Sequence, residues 1–571
     1  MQYKLGTLAI SIAIAGFAAG QDQASGTVYL DANGDRIRQA SESGIEGVAV
    51  TNGVQVVRTD ADGRYSLPVT DDTIISVVKP AGHQVPLNAH GLPEFHYIHK
   101  PQGSPDDSYL FSGVEPTGPL PESIDFPLVR VDEPTAFSVI VFGDPQPYTL
   151  EQMDHFRADV IDPQLSPGGI GPERNIHGAL FGISLGDLVG DNLDLFQPLN
   201  EAQGVLGVPW YNVYGNHDMN FLAGDSSLTA HDPDRYADET YERVYGPPSF
   251  AFQYGDAHFI VMDNVIYQGF DGMRDTDLPG WPNNQRPVTS NYRGGLRTDQ
   301  IEFVQNYLAL VPTDDLIVLA FHVPIEGGGV HRIPEQRALF EALSSHPHTF
   351  SMSGHTHIQR HWFFGPEHGY TAEPVNQHNR EFPTRFDQPV HHHLNAVTAS
   401  GSWFRGAPDE YNRPHTQMAD GAPNGYTLLH VDGNRYTTEF RAARRGADHR
   451  MSTHLSDDLT LTVNVFNGAE GDTVRMRLLA DSGTPDAAAG AWTTMEHTVK
   501  TDPHLSTVFD REQAIPTEIR GYRTVARPKD SHHLWTAELS AGLPSGTHVV
   551  EIEHLDLYGT SHREHITFRI D

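Results

Sequence analysis

Apolar positions along this chain change their period twice. From about residue 25 to 130 they alternate with polar ones in short runs, as in "GTVYLDANGDRIRQASESGIEGVAVTNGVQVVRTDADGRYSLPV", with Asn-Gly and Asp-Gly pairs between the runs. A period of two broken by tight-turn residues predicts a β-sandwich over residues 21–130. The Pro-rich text from Pro116 to Pro134 predicts a linker. Between residues 135 and 445 the apolar runs become continuous, at 137–142, 179–185, 208–214, 316–321 and 349–352. They read as buried strands, and 150–161, 298–311 and 334–343 between them read as helices. Strands alternating with helices predict an α/β domain over 135–445. After about residue 450 short alternating runs return ("LTLTVNVFNG", "THVVEIEHLDLYG"), predicting a second β-domain over 450–571. No internal repeat is visible.

The ends of the α/β strands carry the chemistry. The run "VYGNHDMN" stops an apolar stretch with Asn216, His217 and Asp218, a trio that a strand interior would not bury without partners. The run "VIVFGDPQ" ends in Asp144 and Gln146, and "FGISLGDLVGDN" ends in Asp187 and Asp191. His322 follows "IVLAF", and "FSMSGHTHIQ" supplies His355 and His357. Ligands of open α/β sheets collect beyond the carboxyl ends of strands, so these five loops can share one crevice. Carboxylate, amide and imidazole donors together suit a pair of divalent metals. Each piece alone has a plain alternative: a helix cap, a turn, or a surface His-x-His pair.

Composition narrows the classes. The formal net charge is −36, from 74 acidic and 38 basic residues, which disfavours a nucleic-acid partner and equally fits a salt-adapted surface. There is no cysteine, so disulfides, Cys-ligated zinc and thiol chemistry are excluded. Histidines number 33, and several cluster between residues 322 and 393. The opening "MQYKLGTLAISIAIAGFAAGQDQ" has Lys4, an apolar stretch and then Ala18-Ala19-Gly20, the pattern of a signal peptide over residues 1–20. A buried N-terminal helix is the alternative. The signal reading predicts an exported protein, periplasmic or secreted, with no membrane span.

The ordered set "GDPQ … GDLVGD … GNHD … FHVP … GHTH" resembles the calcineurin-like metallophosphoesterases over residues 135 to about 445. The resemblance implies a four-layer α/β/β/α sandwich, flanked here by N-terminal and C-terminal β-sandwich domains. It implies two divalent metal ions (Mn, Fe, Zn or Mg), one held by Asp144, Gln146, Asp187 and His357. The other would be held by Asp187, Asn216, His322 and His355. It also implies hydrolysis of a phosphate ester, mono- or diester, by a metal-bridging hydroxide with His217 as proton donor. Asp218 is expected to orient His217. Gln146 departs from the usual His and predicts a looser site or a harder ion.

Residues 401–433 resemble the tail of a bacterial subgroup with flanking β-domains, and Trp403, Phe404, Asp420 and Asn424 are expected to line the substrate pocket. Packing of Trp403 between domains is the alternative. The "HHHLNAV" run at His391–His393 reads as structural or surface. In the N-terminal module, which resembles prealbumin-like or Cna-B-like modules through turns such as "TDADGRY", Asp31, Asn33, Asp35, Gln39 and Glu42 stand at calcium-loop spacing, with Arg36 where such loops use glycine. Calcium and a plain polar hairpin both fit. The expected partner is a small phosphorylated substrate. Rival readings are a nucleotide pyrophosphatase and a glycan-binding surface protein with a relic catalytic domain.

Overall fold

Two facing β-sheets form the centre of the computed structural model, which describes residues 22–570 except 106–109, 170, 225–229, 277–284, 289, 330, 372–389, 480–489 and 540–542. The expected signal peptide lies outside the described residues. The first sheet runs Trp210–Asn212, Phe181–Ser184, Ala136–Phe142, Gly425–Asp432, Arg435–Ala442. Its first three strands are parallel and the last two antiparallel. The second runs Phe250–Tyr254, Ala257–Val261, Leu316–Ala320, Thr349–Ser353, His391–Asn395, Arg360–Phe364, with a parallel middle.

Successive side chains of a strand point to opposite faces, and this sorts the core. Val139, Val141, Phe181 and Ile183 meet Phe252, Phe259, Val318 and Phe350 between the sheets. Ile140 and Phe142 instead join Phe156, Phe196 and Leu199 on the outer face of the first sheet. Ile260 and Leu319 join Phe303, Val304, Phe340 and Leu343 outside the second. These outer residues belong to the helices Leu150–Phe156, Phe196–Gly204, Thr298–Leu308 and Gln336–Leu343. The layers are therefore α/β/β/α. Tyr211 and Phe252 stack across the inner seam at 3.7 Å and 5°.

Each flank carries two four-stranded sheets. One part of the expected linker is strand: Phe126–Arg130 pairs in parallel with Asp22–Leu30, its Phe126 and Leu128 buried in the module's core. Prolines at 116, 119, 121 and 134 bracket this strand rather than forbid it. The C-terminal β-domain contains a helix, Pro503–Gln513, whose cap Asp502 accepts from the Leu505 N–H. The N-terminal module is fastened to the central α/β domain by buried cations. Lys79 Nζ reaches Glu133 at 2.6 Å and the Gln253 carbonyl at 2.8 Å. Lys100 Nζ sits among Glu239, Asp72 and Glu242 at 2.5, 2.9 and 3.2 Å. Among the described residues no helix is long and apolar enough to cross a membrane.

The His391–His393 run is a fully buried strand whose polar atoms form a ladder with Thr349, Ser351 and Ser353 of the neighbouring strand. Ser353 donates to Asn395, and Asn395 donates to Thr356 Oγ1 at 2.7 Å and to the Ile358 carbonyl at 2.6 Å. The ladder thus ends on the loop that carries His355 and His357.

Candidate metal centre

All five of the loops that converge leave parallel strands at their carboxyl ends, as the strand-end rule requires. Asp144 follows Ala136–Phe142, Asp187 follows Phe181–Ser184, Asn216 follows Trp210–Asn212, and His322 follows Leu316–Ala320. His355 and His357 follow Thr349–Ser353. The backbone there is strained in a consistent way. Asp144, Gln146, Asp187, Asp191, His355 and His357 all have positive φ, between 35° and 77°. Such a conformation costs a non-glycine residue on the order of 1–3 kcal/mol and clusters where side chains must be aimed. Two glycines give the room: a Cβ on Gly354 would lie 2.1 Å from Asp144 Oδ1, and one on Gly215 would lie 2.0 Å from the Asp187 nitrogen.

The side chains meet acceptor to acceptor. His357 Nδ1 faces the Gly401 carbonyl, which only accepts, so its proton is there and its Nε2 lone pair points at Asp144 Oδ2, 3.2 Å away. His322 Nδ1 likewise faces the Leu185 carbonyl at 2.8 Å. Its Nε2 then looks at Asp187 Oδ1, Asn216 Oδ1 and His355 Nδ1, each at 3.1 Å. Gln146 Nε2–H is the exception and donates to Asp187 Oδ2 at 3.1 Å, while Gln146 Oε1 is buried with no partner among the described residues. Asp187, His322 and His355 each bring a ligating atom within 4.8 Å of one another. These donors fit divalent cations.

Electrostatics point the same way. Burial, with Asp187 beside it, pushes the Asp144 carboxyl up to about 7. Burial works against charge on His322 too, yet Asp187 and Asp144 lift it to about 9. His357, buried without comparable help, falls to about 4. A field that would hold a second proton on His322 draws any cation, and a metal competes with that proton for the same lone pair.

His217 stands beside these groups and turns toward none of them as a ligand. Its Nδ1 lies 2.5 Å from Asp191 Oδ1, its backbone N–H donates to Asp187 Oδ1 at 2.9 Å, and its Nε2 is 4.0 Å from Asp187 Oδ2. Burial disfavours the imidazolium, but Asp191 and Asp187 prevail and raise it to about 10. The expectation that Asp218 orients this ring is corrected: Asp191 does. Asp218 is fully buried and accepts from the backbone N–H groups of Gly215, Leu188 and Val189, which ties two site loops together. Both of its oxygens are engaged by these backbone donors, and the ring's Nδ1 is already met by Asp191.

Of the four expected pocket residues, only Trp403 lines the cavity over this centre. Its ring centroid is 4.4 Å from that of His357. Phe404 is buried in the helix-side core, and Asn424 is buried with its amide on the Ala399 carbonyl. Asp420 is fully buried and accepts from the Gln359 and Ala422 N–H groups and faces His533 Nε2 at 3.1 Å. All three are corrected from substrate-binding to structural, since their polar or apolar surface is consumed inside the protein. The cavity, about 440 Å³, has Gln146, Asp187, Asn216, His217, His355 and His357 in its lining. Tyr292, Arg360, Trp362, Lys529 and His532 line it too, and sequence reasoning named none of them. Asp191 was visible as the last residue of "GDLVGD".

The N-terminal loop closes on itself. Asp31 accepts from the Gly34 and Arg36 N–H groups, Glu42 from those of Ala32 and Gln39, and Asp35 from the Gln39 amide. Among the described residues Asp31, Asp35 and Glu42 do not gather as a three-ligand group. The other acidic group, Asp72, Glu239 and Glu242, already surrounds the Lys100 ammonium.

Residues 137–359 match the family model for calcineurin-like phosphoesterase, residues 31–115 that for its N-terminal region, and residues 393–562 that for its C-terminal region. No curated protein matches the chain. Among solved structures it is similar to the purple acid phosphatase PPD1 from yellow lupin (Lupinus luteus) seeds, at 10% identity and a TM-score of 0.33, covering 69% of this chain and 66% of that one, just under two thirds. It is also similar to PhoD, at 11% identity and a TM-score of 0.32, covering 78% of this chain and 82% of that one. The three family models together span most of the chain, and their order matches the order of its sheets. The chain therefore belongs to the calcineurin-like phosphoesterases, metal-dependent hydrolases of phosphate esters, in the form that carries N- and C-terminal domains on either side of the catalytic one.

Proposed function

We propose that the chain hydrolyses a small phosphorylated substrate at a two-metal centre. Asp144, Gln146, Asp187 and His357 would hold one ion, and Asp187, Asn216, His322 and His355 the other. The observation that carries this reading is the placement of Asp187: one carboxylate oxygen faces His322 and the other faces Gln146, each at 3.1 Å. A single side chain so placed can serve two neighbouring cations. When bound, such a pair polarises a phosphoryl oxygen and lowers the pKa of water.

The protein's own groups would do the rest. His217 keeps a proton on Nδ1 for Asp191 and offers Nε2–H to the leaving oxygen, general-acid work for a held imidazole. Asp218 keeps the loops of Asp187 and His217 in register through three backbone N–H groups. Trp403 walls the centre on the His357 side.

A panel of p-nitrophenyl phosphate, bis-p-nitrophenyl phosphate and a dinucleoside pyrophosphate, run with Mn²⁺, Zn²⁺, Fe²⁺ and Mg²⁺, tests the reading. The expected result is metal-dependent turnover of at least one ester that stops on chelation. Preference among the three separates monoesterase, diesterase and pyrophosphatase. No turnover with any metal would contradict the proposal and favour the relic, glycan-binding alternative.

A further inference from the structure

The wall of the metal-centre cavity carries two cations that the fold does not use. Arg360 and Lys529 both line it, in a chain with a net charge of −36. Neither pairs with a carboxylate among the described residues. The Arg360 guanidinium is partly desolvated and lies over the Trp362 ring, 4.6 Å from its centroid. Glu326 lines the same cavity and Glu470 is within electrostatic range of Arg360, yet neither forms an ion pair with it. Trp362 adds a buried indole N–H that has no acceptor among the described residues. Taking a cation and a donor out of water without partners is costly, and an acidic chain had many carboxylates with which to quench them.

The backbone that carries these groups is tied to the metal loop. Asp420 is the joint. Its carboxylate accepts from the Gln359 N–H at 2.6 Å, next to Arg360, and meets His533 of the C-terminal domain at 3.1 Å. The Ala419 N–H donates to the His357 carbonyl at 3.0 Å, and the Lys529 N–H donates to the Ala419 carbonyl at 2.8 Å. One short segment therefore links His357, Arg360 and Lys529 across two domains. The two backbones are thus set beside the centre, and binding an anion has only the exposed Lys529 side chain left to order.

We infer that Arg360 and Lys529 form an anion subsite, so that the substrate is a phosphate ester whose alcohol part carries a second anionic group, a carboxylate or a phosphate. This rests on the phosphoesterase reading above. The C-terminal domain then sets specificity, because Lys529 comes from it.

The test compares phenyl phosphate with 4-carboxyphenyl phosphate and with 1,4-phenylene bisphosphate, in the metal-loaded full chain. For the wild type, kcat/KM is expected to favour each of the two charged esters by about tenfold or more, the scale of a charge-assisted hydrogen bond. The preference should shrink as salt rises. In Arg360→Ala with Lys529→Ala it should collapse toward one, mainly through KM, while Arg360→Lys retains most of it. A thermal melt identifies variants that fail to fold, and the wild-type preference and its salt dependence stand without them. If only the carboxylate ester is preferred, or only the bisphosphate, the source of the second anion is identified. Phenyl phosphate turnover with no preference, or a preference that survives the double variant, overturns the subsite alone. No turnover of any ester by the wild type overturns the phosphoesterase reading and the subsite with it.

Discussion

Asp187→Ala is expected to release the metal ions and bring phosphate-ester hydrolysis down to background, with the fold intact. The carboxylate is buried, and its two oxygens face separate ligand groups at 3.1 Å. On the two-metal proposal, alanine would leave both ions a ligand short and remove the charge they would share. Burial first, and then the Asp187 charge among other neighbours, raises the Asp144 and Asp218 carboxyls, so removing Asp187 relieves that repulsion. It also takes from His322 and His217 the charge that lifts them, and from the His217 N–H and the Gln146 amide their acceptor. The metal-free variant should therefore melt somewhat below metal-free wild type while still unfolding cooperatively. Elemental analysis should find about two ions per chain in wild type and fewer than about one in the variant. Full occupancy in the variant would show that Asp187 is no bridge.

His217→Ala is expected to keep the metals and lose most activity, by a factor that depends on the leaving group. Protonating a poor leaving group is general-acid catalysis of the kind that contributes on the order of 100- to 10,000-fold. An alkyl phosphate should suffer that whole loss. A p-nitrophenyl ester, whose anion leaves without help, should suffer far less. Asp191→Asn should fall between wild type and His217→Ala on the alkyl ester, because the ring loses its 2.5 Å carboxylate partner but stays in place. Asp218→Asn should lower the melting temperature instead, because three backbone N–H groups depend on that carboxylate. An equal loss on both esters would remove His217 from the proton-transfer role.

What the sequence disclosed and what it hid follow from range. The strand ends were legible because each is local: an apolar run, a glycine in every case but that of His322, then polar residues that no strand interior would choose. Asp144, Asp187, Asn216, His322, His355 and His357 all stand in such places, and the structure gathers them. The helix Pro503–Gln513 had a local signature as well, a capping Asp followed by Pro, hidden inside a run of alternating strands. The strand Phe126–Arg130 was masked by surrounding prolines because its pairing partner is about 100 residues away. Which carboxylate serves His217 was not legible. Asp218 is adjacent in sequence, but adjacent side chains of a turn point apart, and the ring meets Asp191 from another loop. Phe404, Asp420 and Asn424 looked like pocket residues because polar and aromatic groups near a site share that composition with residues that brace it. Arg360 and Lys529 left no signal at all, since only the docking of the C-terminal domain brings Lys529 into the cavity.

The most direct test of the two-cation centre is the metal content of the purified full chain, measured with turnover before chelation, after it, and after metal is restored. About two divalent ions per chain are expected, with activity that vanishes and returns in step with them. A chain that holds no stoichiometric metal under any loading condition, or that hydrolyses esters equally well once stripped, would contradict it.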